Sequence, residues 1–334
     1  MNIHLFEKMQ QDGHLSQASA EKLRNAAATK LFSLHWELKT ILYLGVLLLS
    51  GGLGILVYKN IDTIGHQVIL AAIAAGCAGC FYYCYKHRNP FSWQKVAAPT
   101  PFFDYILLLG CLLFITFITY LQGAYAVFAY HYGTVAFIPL AVLLFSAYYF
   151  DHIGVLSLAI TNLAAWLGVN VSPYGITEDI FLKDGRLINT GAFLGIALCV
   201  ADYLSHYFNK KAHFGFTYRN FGTHIIFISC LAGMFSSDIG LSISEGNQYF
   251  LWFTILVVGA WWFLKDAFKH NSFYFLLIVA LYSYLGVSYV VLRLLILVDD
   301  VGAIYAGILY FIASAIALIA FLVKANKKIK HAGL

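Results

Sequence analysis

The chain has 334 residues, of which 61% are hydrophobic and only 11% are charged, and its net charge is +5. Its mean hydropathy is +0.75, which leaves too little polar surface to coat a soluble globule of this length. The positive charge does not require nucleic acid as a partner, because basic residues at cytoplasmic helix ends have the same effect. The sequence therefore predicts a multi-spanning protein of the lipid bilayer that binds no nucleic acid.

Residues 1–38 are predicted to form a cytoplasmic helical hairpin. Short helices are expected over residues 4–11 and 17–36, with a break at Gly13 and with Ser16 placed to cap the second helix. Helices this short seldom fold without something to pack on, so they predict either a stabilising collar or a docking module for a protein partner. This segment is polar, so no cleavable signal peptide is expected.

Ten stretches approach the length of about 20 mostly apolar residues that a spanning helix needs. They are residues 41–58, 65–85, 102–121, 133–150, 152–171, 189–208, 220–237, 248–268, 272–292 and 302–323. They predict an all-α polytopic membrane protein, with the bundle over residues 39–324 and a basic tail over residues 325–334. Only Asp151 and His152 separate the fourth and fifth stretches, so two helices, one bent helix and a re-entrant hairpin all fit the sequence there.

The basic residues predict the orientation of the bundle. With ten spans, 17 of the 21 Lys and Arg residues fall on one side, which is also the side of both termini. Cytoplasmic loops of membrane proteins carry an excess of Lys and Arg. Both termini are therefore predicted to be cytoplasmic.

The beginning of the chain resembles a family of bacterial membrane proteins. The run "LFEKMQQDGHLSQASAEKL" at residues 5–23 precedes a glycine-punctuated span, "ILYLGVLLLSGGLGILVYKNID", at residues 41–62. The matching positions are Gly13, Leu15, Ser16, Gly45, Gly51, Gly54 and Asn60. Over roughly the first 65 residues they resemble domain of unknown function 2157, although Ile61 stands where that family often has Trp. The resemblance implies a bacterial inner-membrane location and brings no activity.

Six titratable residues map to the cytoplasmic third of the predicted spans. An ionisable group at the bilayer centre costs about 2.5–3.5 kcal/mol, so depth decides how much weight each one receives. Asp202 and His206 lie four residues apart on one helix face and are the leading candidates for a proton-coupling pair. The other candidates for the same inward-facing polar pocket are Asp104, Asp151, His152 and His224. Six separate residues satisfied at the interface are the alternative.

A tyrosine-rich segment at residues 120–132 is predicted to face outward. The candidates for an outward-facing ligand site are Tyr120, Gln122, Tyr125, Tyr130 and His131. An aromatic belt at the membrane boundary is the simpler interpretation of the same residues.

The sequence predicts neither a metal site nor a cofactor. All six cysteines fall inside predicted spans, where they are expected to pack as small hydrophobic residues without forming disulfides. No HExxH or paired ligand motif is present.

Three classes of function remain open. The first is a permease-like protein for a neutral or amphipathic solute, with Asp202 and His206 as the candidate proton-coupling pair, and it predicts a cavity that reaches the middle of the membrane. A non-catalytic scaffold or sensor subunit, assembling through its N-terminal helices, predicts a tightly packed bundle without a cavity. An intramembrane lipid-modifying enzyme requires titratable side chains to converge, namely Asp151, Asp202, His206 and His224. The first class is favoured and an enzyme is less expected.

Overall fold

The computed structural model describes residues 34–59, 65–100, 102–129, 131–171, 185–236, 248–298 and 300–332. These residues form ten α-helices and one short 3-10 turn at Ala212–Phe214. The helices are α1 (Leu34–Lys59), α2 (His66–His87), α3 (Phe103–Tyr125), α4 (Tyr132–Phe150), α5 (Ile153–Val171), α6 (Gly185–Tyr207), α7 (Gly215–Ser236), α8 (Gln248–Lys269), α9 (Phe273–Val298) and α10 (Val301–Ala332). The predicted all-α polytopic membrane fold is confirmed.

Nine of the ten described helices are long and apolar enough to cross a membrane, and α7 is the exception. The first half of α7 carries polar residues, among them Arg219, Asn220 and His224, which lower its hydropathy. Half of its 22 residues are nevertheless buried in the protein. Helix α7 is therefore stabilised more by packing against other helices than by its own hydrophobicity.

The chain divides into two compact units, residues 1–61 and residues 62–334. Within the first unit the structure describes α1, a helix of 26 residues that is mostly apolar and carries Lys59 in its last turn. The predicted N-terminal helices at residues 4–11 and 17–36 lie outside the described residues, apart from the first turn of α1. All further contacts described below belong to the second unit.

Helices α4 and α5 are two separate helices that pack along each other. Asp151 ends α4 in the left-handed conformation, with φ 59°, and its backbone N–H donates to the carbonyl oxygen of Ala147. Gly133, at the start of α4, lies so close to Asn170, near the end of α5, that a Cβ on the glycine would be 2.6 Å from Asn170 Oδ1. The two helices are therefore antiparallel, which decides among the three alternatives that the sequence left open.

Helices α6 and α7 cross at glycines. A Cβ on Gly222 would lie 2.8 Å from Cys199 Sγ and 2.9 Å from the carbonyl oxygen of Gly195. A Cβ on Gly195 would lie 2.9 Å from the backbone nitrogen of Ile226. Small residues on both helices let the backbones approach closely, as is common between membrane helices.

A core of large apolar side chains fills the space between α7, α8 and α9. Phe227 and Met234 of α7, Leu256 and Phe263 of α8, and Val279 of α9 are all buried in it. A smaller cluster joins α8 and α9 to α10 through Ala267, Phe275, Leu276, Ala325 and Ile329. Helix α10 thus continues through the predicted basic tail as far as Ala332.

Helices α2, α4, α6, α8 and α10 finish at one end of this unit, which holds Arg88, Lys210, Lys211 and Lys269. We call it the basic end, and it is the side that the charge count assigns to the cytoplasm. All six titratable candidates of the sequence analysis lie toward it.

Candidate functional site

An ion pair holds the loops of the basic end together. Lys211 Nζ lies 2.9 Å from Asp151 Oδ1, and the two side chains are only 1% and 2% exposed. His213 Nε2 lies 2.6 Å from the same carboxylate oxygen, and the backbone N–H of Val96 donates to Asp151 Oδ2 at 2.5 Å. The Asp151 carboxylate therefore joins three segments: the α4–α5 turn, the α6–α7 connection and the loop after α2.

Backbone conformation places these two charges. Asp151 and Lys211 both adopt left-handed φ angles, 59° and 50°, which are uncommon for residues with a side chain. The backbone N–H of Lys211 donates to the carbonyl oxygen of Trp93 at 2.8 Å, and its ammonium lies 5.3 Å from the centre of the Phe91 ring. Burial of Lys211 is balanced by a carboxylate and aromatic faces, as a buried charge requires.

Asp104 and His152 form a second pair beside this ion pair. His152 Nε2 lies 3.8 Å from Asp104 Oδ1, and the histidine side chain is 3% exposed. His152 Nδ1 accepts the backbone N–H of Val155 at 3.0 Å, so the ring caps the first turn of α5. Three of the six predicted pocket residues, Asp104, Asp151 and His152, therefore meet near the α4–α5 turn.

The Asp202–His206 pair predicted from the sequence lies at the basic end of α6. His206 Nε2 is 3.4 Å from Asp202 Oδ1, with the histidine side chain 62% exposed and the aspartate 16% exposed. Gly215, at the start of α7, faces both groups: a Cβ there would be 2.6 Å from His206 Nε2 and would overlap Asp202 Oδ1. The absence of a side chain at residue 215 makes room for the pair.

Arg219 extends this polar region from α6 across α7 to α8. Its guanidinium forms an ion pair with Asp266 of α8 and lies 4.7 Å from the centre of the Phe275 ring. Asp266 Oδ1 is also 3.1 Å from His270 Nδ1. The region thus combines one guanidinium, two carboxylates and two imidazoles at the basic ends of α6, α7 and α8. Arg219, Asp266 and His270 were not among the candidates, because single charges near helix ends are typical of topology signals.

His224 lies about one turn deeper on α7 and has a partner of its own. Its Nδ1 lies 2.8 Å from the hydroxyl of Tyr282 on α9. Along the same two helices Tyr274 donates to Asn220 Oδ1 at 2.8 Å, and Tyr289 donates to the carbonyl oxygen of Met234 at 2.9 Å. Three tyrosines of α9 therefore satisfy polar groups of α7, which explains how a helix of modest hydropathy is buried.

The outward candidates lie near the C-terminal end of α3. The hydroxyl of Tyr120 is 2.8 Å from His66 Nδ1, and the ring of Tyr125 meets the His66 ring edge-on at 6.3 Å. Gln122 accepts the backbone N–H of Phe128 and donates to the carbonyl oxygen of Ala129, so it closes the turn after α3. These contacts assign structural roles to three of the five candidates.

The remaining outward candidates are His131 and Tyr130. His131 is exposed and lines a groove of about 540 Å³ between the outer ends of α4 and α5, with Phe137, Trp166 and Asn170. Tyr130 lies outside the described residues.

All six cysteines are free and lie on α2, α3, α6 and α7. Cys77 donates to the carbonyl oxygen of Gly110 across the close contact of α2 with α3, at 3.6 Å. In the described part of the chain, His, Cys, Asp and Glu form no group of three or more that could hold a metal ion.

An aromatic cleft opens between α2, α3 and α4. Its volume is about 570 Å³, and it is lined by Ala74, Cys77, Ala78, Phe81, Tyr85, Phe114, Phe117, Val142, Phe145, Ser146, Tyr149 and Phe150. It extends from the middle of α2, at Ala74, to the basic end of that helix, at Tyr85, which is about 16 Å of helix. The guanidinium of Arg88 lies 4.5 Å from the ring centres of both Tyr85 and Tyr149, at the mouth of the cleft.

Sequence comparison bears on this cleft. Residues 7–156 match the family model described as Predicted membrane protein (DUF2157). The match confirms the resemblance and extends it from the first 65 residues to the start of α5, so every residue that lines the cleft lies inside the DUF2157 region. Asp202, Arg219 and Asp266 lie beyond that region. No curated protein and no solved structure matches the chain.

Proposed function

We propose that this membrane protein is permease-like and moves an amphipathic solute through the aromatic cleft between α2, α3 and α4. The cleft is the observation that carries the proposal. Its volume of about 570 Å³ is within the range of about 300–1,000 Å³ that small-molecule sites occupy. Its lining is apolar except at a few positions, such as Ser146 and the tyrosines near its mouth.

The position of the cleft favours a solute with one apolar and one polar part. Near Ala74 and Phe114 the lining consists of apolar side chains, whereas at the other end Tyr85, Tyr149 and Arg88 supply hydroxyls and a charge. A molecule in the cleft would thus hold its apolar part toward the middle of the membrane and its polar part at the basic end. This gradient matches the order of polarity within one leaflet of a bilayer.

Asp202 and His206 are our candidates for coupling transport to protons. Imidazole is the side chain whose charge changes most readily near neutral pH, and His206 is exposed while it contacts Asp202. Arg219 and Asp266 link this pair to the neighbouring helix α8. A change of charge at His206 would therefore act where three helices meet.

The other two function classes receive less support. A scaffold predicted a packed bundle without a cavity, whereas residues of α2, α3 and α4 line an open cleft. An enzyme required four titratable groups to converge, whereas Asp151 contacts Lys211, Asp202 contacts His206 and His224 contacts Tyr282. We also propose that the protein lies in the bacterial inner membrane, as the resemblance to DUF2157 implies, and that both termini are cytoplasmic, as the charge count predicts.

Flux through a filled cleft tests the proposal. We would reconstitute the full chain into liposomes and follow the transbilayer movement of a fluorescent long-chain amphiphile by adding an impermeant quencher. Ala78 is exposed and lines the cleft, so Ala78→Trp should fill it and lower the rate at least tenfold. Ala72→Trp is the matched control, because Ala72 is also exposed on α2 but does not line the cleft. Equal rates in wild type and Ala78→Trp would contradict the proposal.

The coupling assignment has its own test. Asp202→Asn removes the charge that faces His206 while keeping the size of the side chain, so the dependence of flux on an imposed pH gradient should disappear. Asp300→Asn is the control, since Asp300 is exposed at the opposite end of the bundle. A pH-gradient dependence that survives in Asp202→Asn would remove this pair from the proposal.

A further inference from the structure

Two cations flank a continuous aromatic surface at the mouth of the cleft. Arg88 lies over Tyr149, the Tyr149 ring stacks on Phe91 at 6.4 Å, and Phe91 meets Trp93 edge-on at 5.2 Å. Lys210 lies 5.0 Å from the centre of the Trp93 ring. We call Tyr149, Phe91 and Trp93 the aromatic shelf. Phe91 and Trp93 are 44% and 47% exposed.

The shelf has the composition of a headgroup site. Aromatic side chains at a membrane boundary lie at the level of the lipid headgroups, and basic pockets between membrane helices on the cytoplasmic side bind anionic headgroups. In the part of the chain that the structure describes, no carboxylate forms an ion pair with Arg88 or Lys210. Both cations are therefore available to an external anion.

The cleft below the shelf has the length of one acyl chain. It follows α2 for about 16 Å, and one leaflet of a hydrocarbon core about 30 Å thick measures about 15 Å. The cleft and the aromatic shelf meet at Tyr149, which lines the cleft and also belongs to the shelf. A single molecule that combines an acyl chain with a phosphate would occupy both.

We infer that the cleft and the aromatic shelf together bind a phospholipid with an anionic headgroup, its acyl chain in the cleft, its phosphate at Arg88 and its headgroup on the shelf that Lys210 flanks at the other end. This inference rests on the proposed function, because it names the class of amphipathic solute for the same cleft. Charge complementarity selects the anionic headgroup: each cation near a membrane surface favours an anionic lipid by about fivefold. Arg88 is held by two tyrosines, so its guanidinium is already ordered for a phosphate.

Native mass spectrometry of the full-length protein gives the test, with phosphatidylglycerol as the anionic probe and phosphatidylcholine as the neutral probe. The wild type should bind phosphatidylglycerol at least fivefold more tightly. Both lipids carry a phosphate, but only phosphatidylcholine balances it with a choline cation, so Arg88→Gln should weaken phosphatidylglycerol more than phosphatidylcholine and reduce that preference about fivefold, whereas Arg88→Lys should retain most of it. Lys265→Gln is the control and should change neither affinity. Lys265 also lies over an exposed ring at the basic end, that of Trp261, but it belongs to α8, which does not line the cleft.

The outcomes separate this inference from the proposed function. An unchanged lipid preference in Arg88→Gln, or an equal loss of both lipids, overturns the headgroup assignment. Ala78→Trp should weaken both lipids alike, which would support an acyl chain in the cleft whatever its headgroup. If the wild type retains neither lipid, the headgroup inference fails while the flux of the fluorescent amphiphile still decides the proposed function. If both lipids bind equally and Ala78→Trp weakens both, only the anionic preference is wrong.

Discussion

Lys211 and Asp151 form an ion pair 2.9 Å long whose two side chains are both almost fully buried. Each belongs to a different connection between helices, and each holds a left-handed backbone angle. The pair is therefore a tertiary contact between two loops, and each charged group has the other as a partner in place of water.

Breaking this pair should destabilise the protein strongly. Asp151→Asn leaves the Lys211 ammonium buried without a countercharge, and Lys211→Met leaves the Asp151 carboxylate buried with only His213 and the Val96 N–H as partners, so each should cost about 3–5 kcal/mol, with Lys211→Met at the lower end. The double variant should recover much of that loss, because it leaves no uncompensated charge. Thermal unfolding followed with a thiol-reactive dye measures this, since Cys84 and Cys111 are fully buried until the protein opens.

The control for this series is Lys265→Met, which removes an exposed charge from the same end of the bundle and should change stability by less than about 0.5 kcal/mol. If the losses of the two single variants simply add in the double variant, the residues do not interact as the structure describes.

Gly215→Ala should disturb the Asp202–His206 pair. The added methyl group would overlap Asp202 Oδ1 and press on His206 Nε2, so we expect a loss of about 1–3 kcal/mol. The loss should shrink in an Asp202→Ala background, where the overlapping atom is absent. The free energies of unfolding of Gly215→Ala, Asp202→Ala and the double variant measure this coupling.

Gly79→Ala provides the comparison, because a Cβ on Gly79 would meet nothing within 4 Å. It should leave stability unchanged or raise it slightly through helix propensity. A Gly215→Ala variant as stable as Gly79→Ala would show that α6 and α7 separate easily at this point.

The hydrogen bond between His224 and Tyr282, which is partly buried, should contribute little to the free energy of unfolding. Hydrogen bonds between membrane helices average about 0.6 kcal/mol in double-mutant cycles, with a maximum of about 1.7 kcal/mol. A cycle of Tyr282→Phe and His224→Leu should therefore give a coupling in that range. Tyr203→Phe is the control, because Tyr203 is exposed and contacts Tyr207 only through ring stacking. A coupling indistinguishable from zero would argue against the α7–α9 hydrogen bond.

The predicted orientation can be checked with reporter fusions. Green fluorescent protein fused to the C-terminus should fluoresce, because the basic end is predicted to lie in the cytoplasm. Alkaline phosphatase inserted within residues 172–184 should be active, since that loop is predicted to lie outside. The reverse pattern would invert the assignment, and an identical result from both sites would mean that the number of spans between them is not the predicted one.

Helix positions were largely predictable because apolar length is a local property of the sequence. All ten described helices overlap the predicted spans; at their starts α1 differs most, since it begins at Leu34 and not near residue 41, and the next largest difference is in α7. That helix begins at Gly215, not near residue 220. Its first residues contain Thr217, Tyr218 and Arg219, which are typical of a loop, and only packing against neighbouring helices buries them.

The polar contacts were less predictable because they depend on partners far away in the chain. The spacing of Asp202 and His206 on one helix turn was enough to predict their contact. Nothing local indicated that Lys211 is buried, because a lysine in a short loop is normally exposed. The two adjacent lysines differ only in the structure, where Lys210 is exposed over the Trp93 ring and Lys211 is buried near the Phe91 ring.

Among the described helices, α7 alone falls short of the hydropathy of a membrane-spanning helix. It is therefore poorly suited to move from the translocon into the bilayer without another helix. Its close crossing with α6 at Gly195 and Gly222 would allow the two helices to insert into the bilayer together, as a preassembled hairpin. The tyrosines of α9 emerge from the ribosome only later. Asn220 and His224 therefore gain their hydrogen-bond partners Tyr274 and Tyr282 only after α9 has been synthesised.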